Sequence, residues 1–253
     1  MNKKIFLAVA AVLACSMVQQ AQTEKIYRTV PEALASSKDV FTLDIYMKLN
    51  EMPPEVGQLE NLVVLKMARH KLNKLPDEIG NLQNLEQLDV SGNNLYSLPG
   101  TIVNCKNIKK LILKENSFKD WPVQIAGLKS IESVDMSKNS ITKILDDLST
   151  VKSLQYLNLS ENKISYFTTQ VSSVKSLVEL NLSKNELTEF PAGVCKLKKL
   201  EVLDLSYNKI VKIPEQLGDL KRTLKFIRMR GNPLPPKEQK RIKYLLPDTE
   251  FEF

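Results

Sequence analysis

Few residues of this 253-residue chain combine the type and the spacing that catalysis or metal binding requires. His70 is the single histidine, so a histidine-based dyad is possible only there, and a two-histidine metal site is excluded within one chain. Asp146 and Asp147 fall in a segment that is most simply a polar turn, and no serine-hydrolase, zinc-protease, Cys-x-x-Cys or phosphate-loop motif occurs. We therefore expect no enzymatic activity, no catalytic residue, no metal site and no cofactor, and we interpret His70 as structural.

Leucine and asparagine are unusually frequent, at 37 and 18 residues, and a repeat explains both. The chain aligns on itself with a period of 23 residues. In the unit that begins at Leu85, Leu88 and Val90 alternate with polar residues, the pattern of a short strand with one buried face. A single strand cannot bury that face, so the units must stack into one continuous core. The seven regular units begin at Leu62, Leu85, Ile108, Ile131, Leu154, Leu177 and Leu200.

Each unit opens with L-x-x-L-x-L-x-x-N-x-L, which resembles the leucine-rich repeat family. The second half of the unit, as in Leu75-Pro76, resembles the short 23-residue subclass of Ras-group-related plant proteins and many bacterial proteins. The resemblance runs from about residue 40 to the end. It implies an α/β fold: a right-handed solenoid with a parallel sheet on the concave face, 3₁₀ or short helical turns on the convex face, and helical caps. In this family the concave face commonly binds protein partners.

The ninth position of nearly every unit is an asparagine, whose amide can bond unpaired backbone groups of its own coil and of the adjacent coil. We expect a buried structural ladder, with His70 replacing asparagine in the first unit. Proline then begins the return segment of most units. Leu145 and Thr168 replace it in two middle units, where the coil shape is less determined. The predicted ladder consists of Asn93, Asn116, Asn139, Asn162, Asn185, Asn208 and Asn232.

The sequence divides into four regions. Residues 1–21 are a predicted signal peptide, and residues 22–61 form an N-terminal cap with an atypical first coil. Residues 62–223 hold the seven 23-residue repeats. Residues 224–253 hold a last repeat and a cap helix, which we expect to begin at Pro235-Pro236 and to end at Leu246 before a short strand.

The first residues indicate export, because two lysines precede an apolar run over residues 5–14 that is too short to span a bilayer. Two maturation routes stay open. Residues 12–15 resemble a bacterial lipoprotein signal that ends at residue 14 and leaves a lipidated Cys15, whereas cleavage after Ala21 gives a soluble product. We expect Cys105 and Cys195 to be free thiols, because nearly four coils of ~4.8 Å separate them and a disulfide tolerates ~7 Å between Cα atoms.

The exposed positions of the strands are where a partner could bind. Most of the third strand positions carry Asp or Asn, which fits a solvated sheet face, but several other positions carry apolar, aromatic or basic residues. Exposed aromatics often anchor interfaces, although scattered exposed hydrophobes are also normal. We predict a protein partner on the concave face, with candidate contact residues Val64, Lys66, Ile112, Tyr156, Val202, Tyr207, Phe226 and Arg228.

The net charge of +7 is concentrated near the C-terminus, where residues 221–246 carry nine basic side chains against Glu238 alone. The alternative function is therefore binding of a surface glycan or anionic lipid through the basic C-terminal cap; the other interpretation is a solvated cap helix. We expect no nucleic-acid partner, since an exported protein seldom meets one and no recognition motif is present. A membrane would be reached only through a lipid anchor, and the oligomeric state stays open.

Overall fold

The structure is a computed structural model that describes residues 25–144 and 146–253. Within them, eleven short strands form one parallel sheet in the order β1-β2-β3-β4-β5-β6-β8-β10-β11-β12-β13, and β7 pairs in parallel with β9. The strands are β1 Ile26–Tyr27, β2 Thr42–Asp44, β3 Val64–Lys66, β4 Gln87–Asp89, β5 Lys110–Ile112, β6 Ser133–Asp135, β7 Lys143–Ile144, β8 Tyr156–Asn158, β9 Tyr166–Phe167, β10 Glu179–Asn181, β11 Val202–Asp204, β12 Phe226–Arg228 and β13 Glu250–Glu252.

The register of the sheet follows the 23-residue repeat. Leu88 lies opposite Leu111, and the middle residue of each repeat strand pairs with its counterpart one unit on. The pairing of Leu43 with Leu65 is one residue short of the repeat, and that of Leu203 with Ile227 is one residue longer. The stacked coils are therefore those that the sequence predicts, and the α/β solenoid is confirmed.

The return half of each coil is a 3₁₀ turn, as the spacing of its apolar residues predicts. Proline directly precedes most of these turns in extended conformation, and the next buried residue, such as Ile79, turns its side chain inward. The 3₁₀ segments are Ser37–Asp39, Pro54–Gln58, Asp77–Asn81, Gly100–Asn104, Val123–Gly127, Asp146–Thr150, Thr169–Ser173, Ala192–Lys196 and Glu215–Leu220.

The coils that lack proline gain a second strand pair, β7–β9. The backbone N–H of Thr168 donates to the carbonyl of Ile144 at 3.0 Å, a bond that proline at this position could not make. The Thr168 hydroxyl then accepts the Gln170 N–H at 3.0 Å and starts the following 3₁₀ turn. Loss of proline therefore replaces a proline-led turn with an extra bond between coils.

The asparagine ladder is present, with five of its members buried and Asn116 and Asn232 half-buried. In the central coils the Asn162 amide nitrogen donates to the carbonyls of Leu159 and Met136, each at 3.0 Å, and its oxygen accepts the Ile141 N–H at 3.0 Å. These groups belong to its own coil and the preceding one, and Asn93, Asn116, Asn139, Asn185, Asn208 and Asn232 repeat the arrangement. Each amide thereby satisfies turn groups that neither coil could pair alone.

His70 takes the asparagine place in the first full coil. One ring nitrogen accepts the Leu49 N–H at 3.1 Å, and the other lies 3.1 Å from the Ile45 carbonyl, which fits the tautomer protonated on Nε2. The imidazole is 6% exposed. It bridges to the preceding coil as the asparagine amides do, which confirms the structural interpretation of His70.

A second ladder, which the sequence analysis missed, runs along the residue before most of the repeat starts. The side chains of Asn61, Asn84 and Asn107 each donate to a carbonyl of the preceding coil at 2.8–2.9 Å, and the hydroxyls of Ser153 and Ser176 do the same at 2.6–3.1 Å. The Asn or Ser that recurs at this position of the repeat could have predicted this ladder.

Both ends of the stack are capped. Helix α1, Val30–Leu34, begins after Thr29, whose hydroxyl accepts the Glu32 N–H, and strand β1 extends the sheet by a pairing with β2 that the sequence analysis did not predict. At the other end helix α2, Pro236–Leu245, buries Ile242, and the predicted terminal strand is β13.

One carboxylate holds the C-terminal cap helix against the last coil. Glu238 accepts the Ile213 N–H at 2.8 Å and pairs with Arg241, whose guanidinium also donates to the Ile213 carbonyl. The hydrogen bond from Arg241 is the main reason that the pKa of Glu238 is lowered to about 2. A depressed carboxyl pKa means that the pairing stabilises the fold above the unfolded-state value near ~4.3 and is lost as the pH falls towards 2.

We predict that Glu238→Gln lowers the unfolding free energy at pH 7, because the neutral amide loses the charged pair with Arg241. The gap to the parent chain should close as the pH falls from about 4.5 to about 2, since the parent carboxylate is then protonated as well. Denaturant unfolding at a series of pH values measures this, with Glu55→Gln at an exposed position as the control. An equal loss at pH 7 and pH 2 would contradict the role of the charge.

Candidate partner-binding face

Two rows of side chains project from the sheet on the concave face. The middle residue of each repeat strand points into the core, so the first and third residues point outward. The first row is Val64, Gln87, Lys110, Ser133, Tyr156, Glu179, Val202 and Phe226, and the second row is Lys66, Asp89, Ile112, Asp135, Asn158, Asn181, Asp204 and Arg228. The register places consecutive members of a row on adjacent strands, ~4.8 Å apart.

Most of the second row is occupied by turn formation. The Asp89 side chain accepts the Ser91 N–H two residues on at 3.0 Å. Asp135, Asn158, Asn181 and Asp204 accept the same backbone bond at 2.9–3.1 Å. These carboxylates and amides fix the turn after each strand, which is a structural role.

The remaining second-row positions are Lys66, Ile112 and Arg228, all predicted contact residues. Lys66 and Ile112 are half-buried. The Arg228 guanidinium lies 3.3 Å from the Glu252 carboxylate of the terminal strand. None of the three has the Asp or Asn side chain that forms the turn elsewhere in the row, so these positions are not needed for the turn bond.

The expectation that Val64 and Val202 project into water is wrong. Val64 is 3% exposed and packs with Val63 and Phe41 in a small apolar cluster on the sheet face. Val202 is 7% exposed and lies on the sheet between Glu179 and Phe226. Neighbouring side chains therefore cover both valines, and neither offers appreciable apolar area to a partner.

The aromatic members of the predicted set remain accessible. Tyr156 and Phe226 are half-buried in the first row, three strands apart. Tyr207 is 47% exposed at the rim of the face, where its backbone has a φ of 55°. Its ring lies over Gly231 so closely that a Cβ there would come within 2.6 Å of it. A larger residue at Gly231 would displace the ring, so this glycine fixes the place of Tyr207.

The rim beside Tyr207 carries alternating charges. The residue before each ladder position has a left-handed backbone, and four consecutive ones are Glu115, Lys138, Glu161 and Lys184. Lys138 lies 2.8 Å from Glu115, and Lys184 lies 3.4 Å from Glu161. The rim charges therefore pair between coils and leave little unbalanced charge for a partner.

The sheet face around Tyr156 is acidic, with a half-buried Glu179 and a buried Asp204. Burial raises the pKa of Glu179, with a smaller opposing effect from Arg228. Burial also raises the pKa of Asp204, although hydrogen bonds from Ser206 act against it. The pKa of Tyr156 is raised by its burial and then by the negative charges of Glu179, Glu201 and Glu132. Glu179 was not among the predicted contact residues. Its place in the first row, between Tyr156 and Val202, could have led to its inclusion.

Comparison with known protein families agrees with this geometry. A family model described as a leucine-rich repeat region matches residues 55–181, and a second, described as a leucine rich repeat, matches residues 175–234. The chain belongs to the leucine-rich repeat family. A search of curated proteins gave no match.

Several solved leucine-rich repeat structures resemble the chain. The ectodomain of the Arabidopsis thaliana membrane receptor kinase GASSHO1/SCHENGEN3, in complex with CASPARIAN STRIP INTEGRITY FACTOR 2, is 26% identical with a TM-score of 0.67 over 80% of this chain and 25% of its own. The plant peptide hormone receptor RGFR1, in complex with RGF2, is 28% identical with a TM-score of 0.72 over 89% and 37%. The chain thus spans about a quarter to two fifths of these receptor chains.

A bacterial structure shows the same fold. An internalin from Listeria monocytogenes has a TM-score of 0.67 and 21% identity over 89% of this chain and 70% of its own. At this identity the likeness concerns the solenoid architecture.

The basic C-terminal cap of this leucine-rich repeat chain is partly engaged in its own fold. Lys225 lies 2.8 Å from Glu201, Arg228 pairs with Glu252, and Arg241 is held by Glu238. The Lys243 ammonium sits 5.4 Å from the centre of the Phe253 ring. Several of the cations that a glycan or lipid site on this cap would require are therefore already paired within the chain.

The thiols of the repeats are buried in the core. Cys105 and Cys195 are free, as predicted, and burial raises the pKa of each to about 11. Cys15, the predicted lipidation residue, lies outside the described residues. Across residues 25–144 and 146–253, no His, Cys, Asp and Glu side chains cluster as a metal site would need, and no helix combines the length and apolarity of a membrane span.

Proposed function

We propose that this leucine-rich repeat chain is a non-catalytic recognition protein that binds a protein or peptide partner on its concave strand face. The observation that carries the proposal is the accessibility of Tyr156 and Phe226 on the sheet. Aromatic side chains that lie on the face of a rigid sheet, and not in its core, are typical interface anchors. Ile112 and Tyr207 extend this surface, and Lys66 and Arg228 lie beside it.

Two features support a binding role. The two plant receptors of the same fold are described in complexes with CASPARIAN STRIP INTEGRITY FACTOR 2 and RGF2. In this chain, moreover, the groups with catalytic potential have structural roles: His70 belongs to the ladder, and both core thiols carry raised pKa values that keep them protonated. These observations support a binding role for the sheet face and give no support to a catalytic one.

We also infer that the chain is exported and belongs to the short subclass of bacterial leucine-rich repeat proteins. The basic and apolar pattern of residues 1–21 supports export, and the Leu-Pro return segments support the subclass. Mass spectrometry of the mature N-terminus separates the two routes. A diacylglyceryl group on Cys15 means attachment to a membrane, a start at Gln22 means a soluble product, and an intact Met1 in the native host would refute export.

We predict that Tyr156→Ala and Phe226→Ala each weaken binding by about tenfold or more, because each removes an aromatic anchor from the sheet face. Peptides selected on the parent chain from a random library displayed on phage supply the ligands, and fluorescence anisotropy supplies the affinities. Tyr244→Ala is the matched control, since this tyrosine is 87% exposed on helix α2.

All three variants should retain the parent circular dichroism and unfolding midpoint. If Tyr156→Ala and Phe226→Ala bind as tightly as the parent chain while Tyr244→Ala does not, the binding site lies on the C-terminal cap and the proposal is wrong.

A further inference from the structure

Glu179 occupies the centre of the aromatic part of the strand face. The register of β8, β10, β11 and β12 places Tyr156, Glu179, Val202 and Phe226 side by side in one row. At ~4.8 Å per strand, Glu179 lies ~5 Å from the strand of Tyr156 and ~10 Å from that of Phe226. Glu179 therefore lies in the row between Tyr156 and the covered Val202, with Phe226 one strand beyond Val202.

The carboxylate of Glu179 differs from those of Glu201 and Glu252 in having no hydrogen-bond or ion-pair partner within the part of the chain that the structure describes. Among residues 25–144 and 146–253, no hydrogen bond or ion pair reaches its oxygens. By contrast, Glu201 is paired with Lys225 at 2.8 Å and Glu252 with Arg228 at 3.3 Å. Glu179 is half-buried, and its desolvation is offset only in part by Arg228 at longer range.

An unpaired carboxylate on a poorly hydrated surface costs free energy unless a cation approaches it. Among the charges that act on Glu179, only Arg228 lowers its pKa, and it does so without an ion pair. Asp204 repels it, and Glu132 and Glu201 add negative charge near Tyr156. Arg228 is itself paired with Glu252 at 3.3 Å. The surface that complements this row must bring its own positive charge.

The dimensions of the row suit an extended peptide segment. Tyr156 and Phe226 stand three strands apart, ~14 Å, and an extended chain that rises ~3.3 Å per residue covers that distance in about four residues. A basic side chain one or two residues from an apolar one can reach Glu179 while its neighbour packs on an aromatic ring. The stem of lysine or arginine would itself lie along the rings.

We propose that Glu179 determines specificity by accepting a lysine or arginine side chain of the partner, with apolar neighbours of that residue packed on Tyr156 and Phe226. This assignment rests on the proposed function of the strand face and names the chemistry of its partner: a basic–apolar segment of a protein or peptide. Lysine or arginine removes the desolvation cost of the half-buried carboxylate, which a neutral side chain leaves in place.

The test is a selection of random peptides displayed on phage against the chain and three variants. Glu179→Gln removes the charge and keeps the shape of the side chain. Glu189→Gln removes one charge from an exposed position on a return segment and serves as the control. The double variant Tyr156→Ala, Phe226→Ala removes the anchors. Circular dichroism and unfolding midpoints confirm that each variant is folded.

We expect peptides from the parent chain and from Glu189→Gln to be enriched in Lys or Arg beside an apolar residue. Glu179→Gln should bind these peptides at least about tenfold more weakly, and its own selection should lose the basic residue but keep the apolar one. Changing the basic residue of a selected peptide to Gln should weaken binding to the parent chain and have little effect on Glu179→Gln.

The outcomes separate this inference from the function on which it rests. If the double variant abolishes binding but the peptides carry no basic preference, or bind Glu179→Gln as tightly as the parent, the strand face is the site and the role of Glu179 is refuted. If the double variant binds as the parent does, the proposed function itself fails, and with it this assignment.

Discussion

The structure depends on one recurring bond pattern, in which a buried asparagine amide joins the turn of its own coil to the coil before it. Asn162 shows it in the centre of the chain, where one side chain satisfies two carbonyls and one N–H that belong to two coils. The strand leucines, such as Leu157 and Leu159, are buried in the same stack. A coil taken alone would expose both its leucines and its unpaired turn groups, so each unit is stable only between neighbours. His70 shows that geometry rather than residue type is what the position requires.

The binding face follows from the same constraint. Because the middle strand residue must fill the core and the third residue usually forms the turn, few positions of each coil are free to vary without loss of stability. Those free positions are where Tyr156, Glu179 and Phe226 occur, in one row across four neighbouring strands. Outward strand positions that are 23 residues apart in the sequence thus lie next to each other on the sheet. Their side chains can change without changing the stacked core.

Sequence periodicity predicts this fold in unusual detail, because the same positions of the repeat are apolar in nearly every copy and are therefore expected to be buried. The register, the 3₁₀ turns, the ladder with His70 in it and the terminal strand all follow from spacing. What it does not predict depends on contacts between copies. Val64 and Val202 are covered by neighbours that the repeat does not specify, and β1 needs the exposed edge of β2 to form. That Glu179 has no hydrogen-bond or ion-pair partner among residues 25–144 and 146–253 is likewise a property of its surroundings, which the repeat alone does not specify.

The most direct test of the account is the unfolding free energy of Asn162→Ala. This change leaves two buried carbonyls with fewer donors and the Ile141 N–H without its acceptor, so we expect a loss of about 3 kcal/mol or more. Asn94→Ala, at the exposed position after the ladder residue Asn93, should cost almost nothing. Equilibrium denaturant unfolding of both variants beside the parent chain measures the difference. A cost for Asn162→Ala below about 0.5 kcal/mol would show that the coils are held together by something other than the ladder.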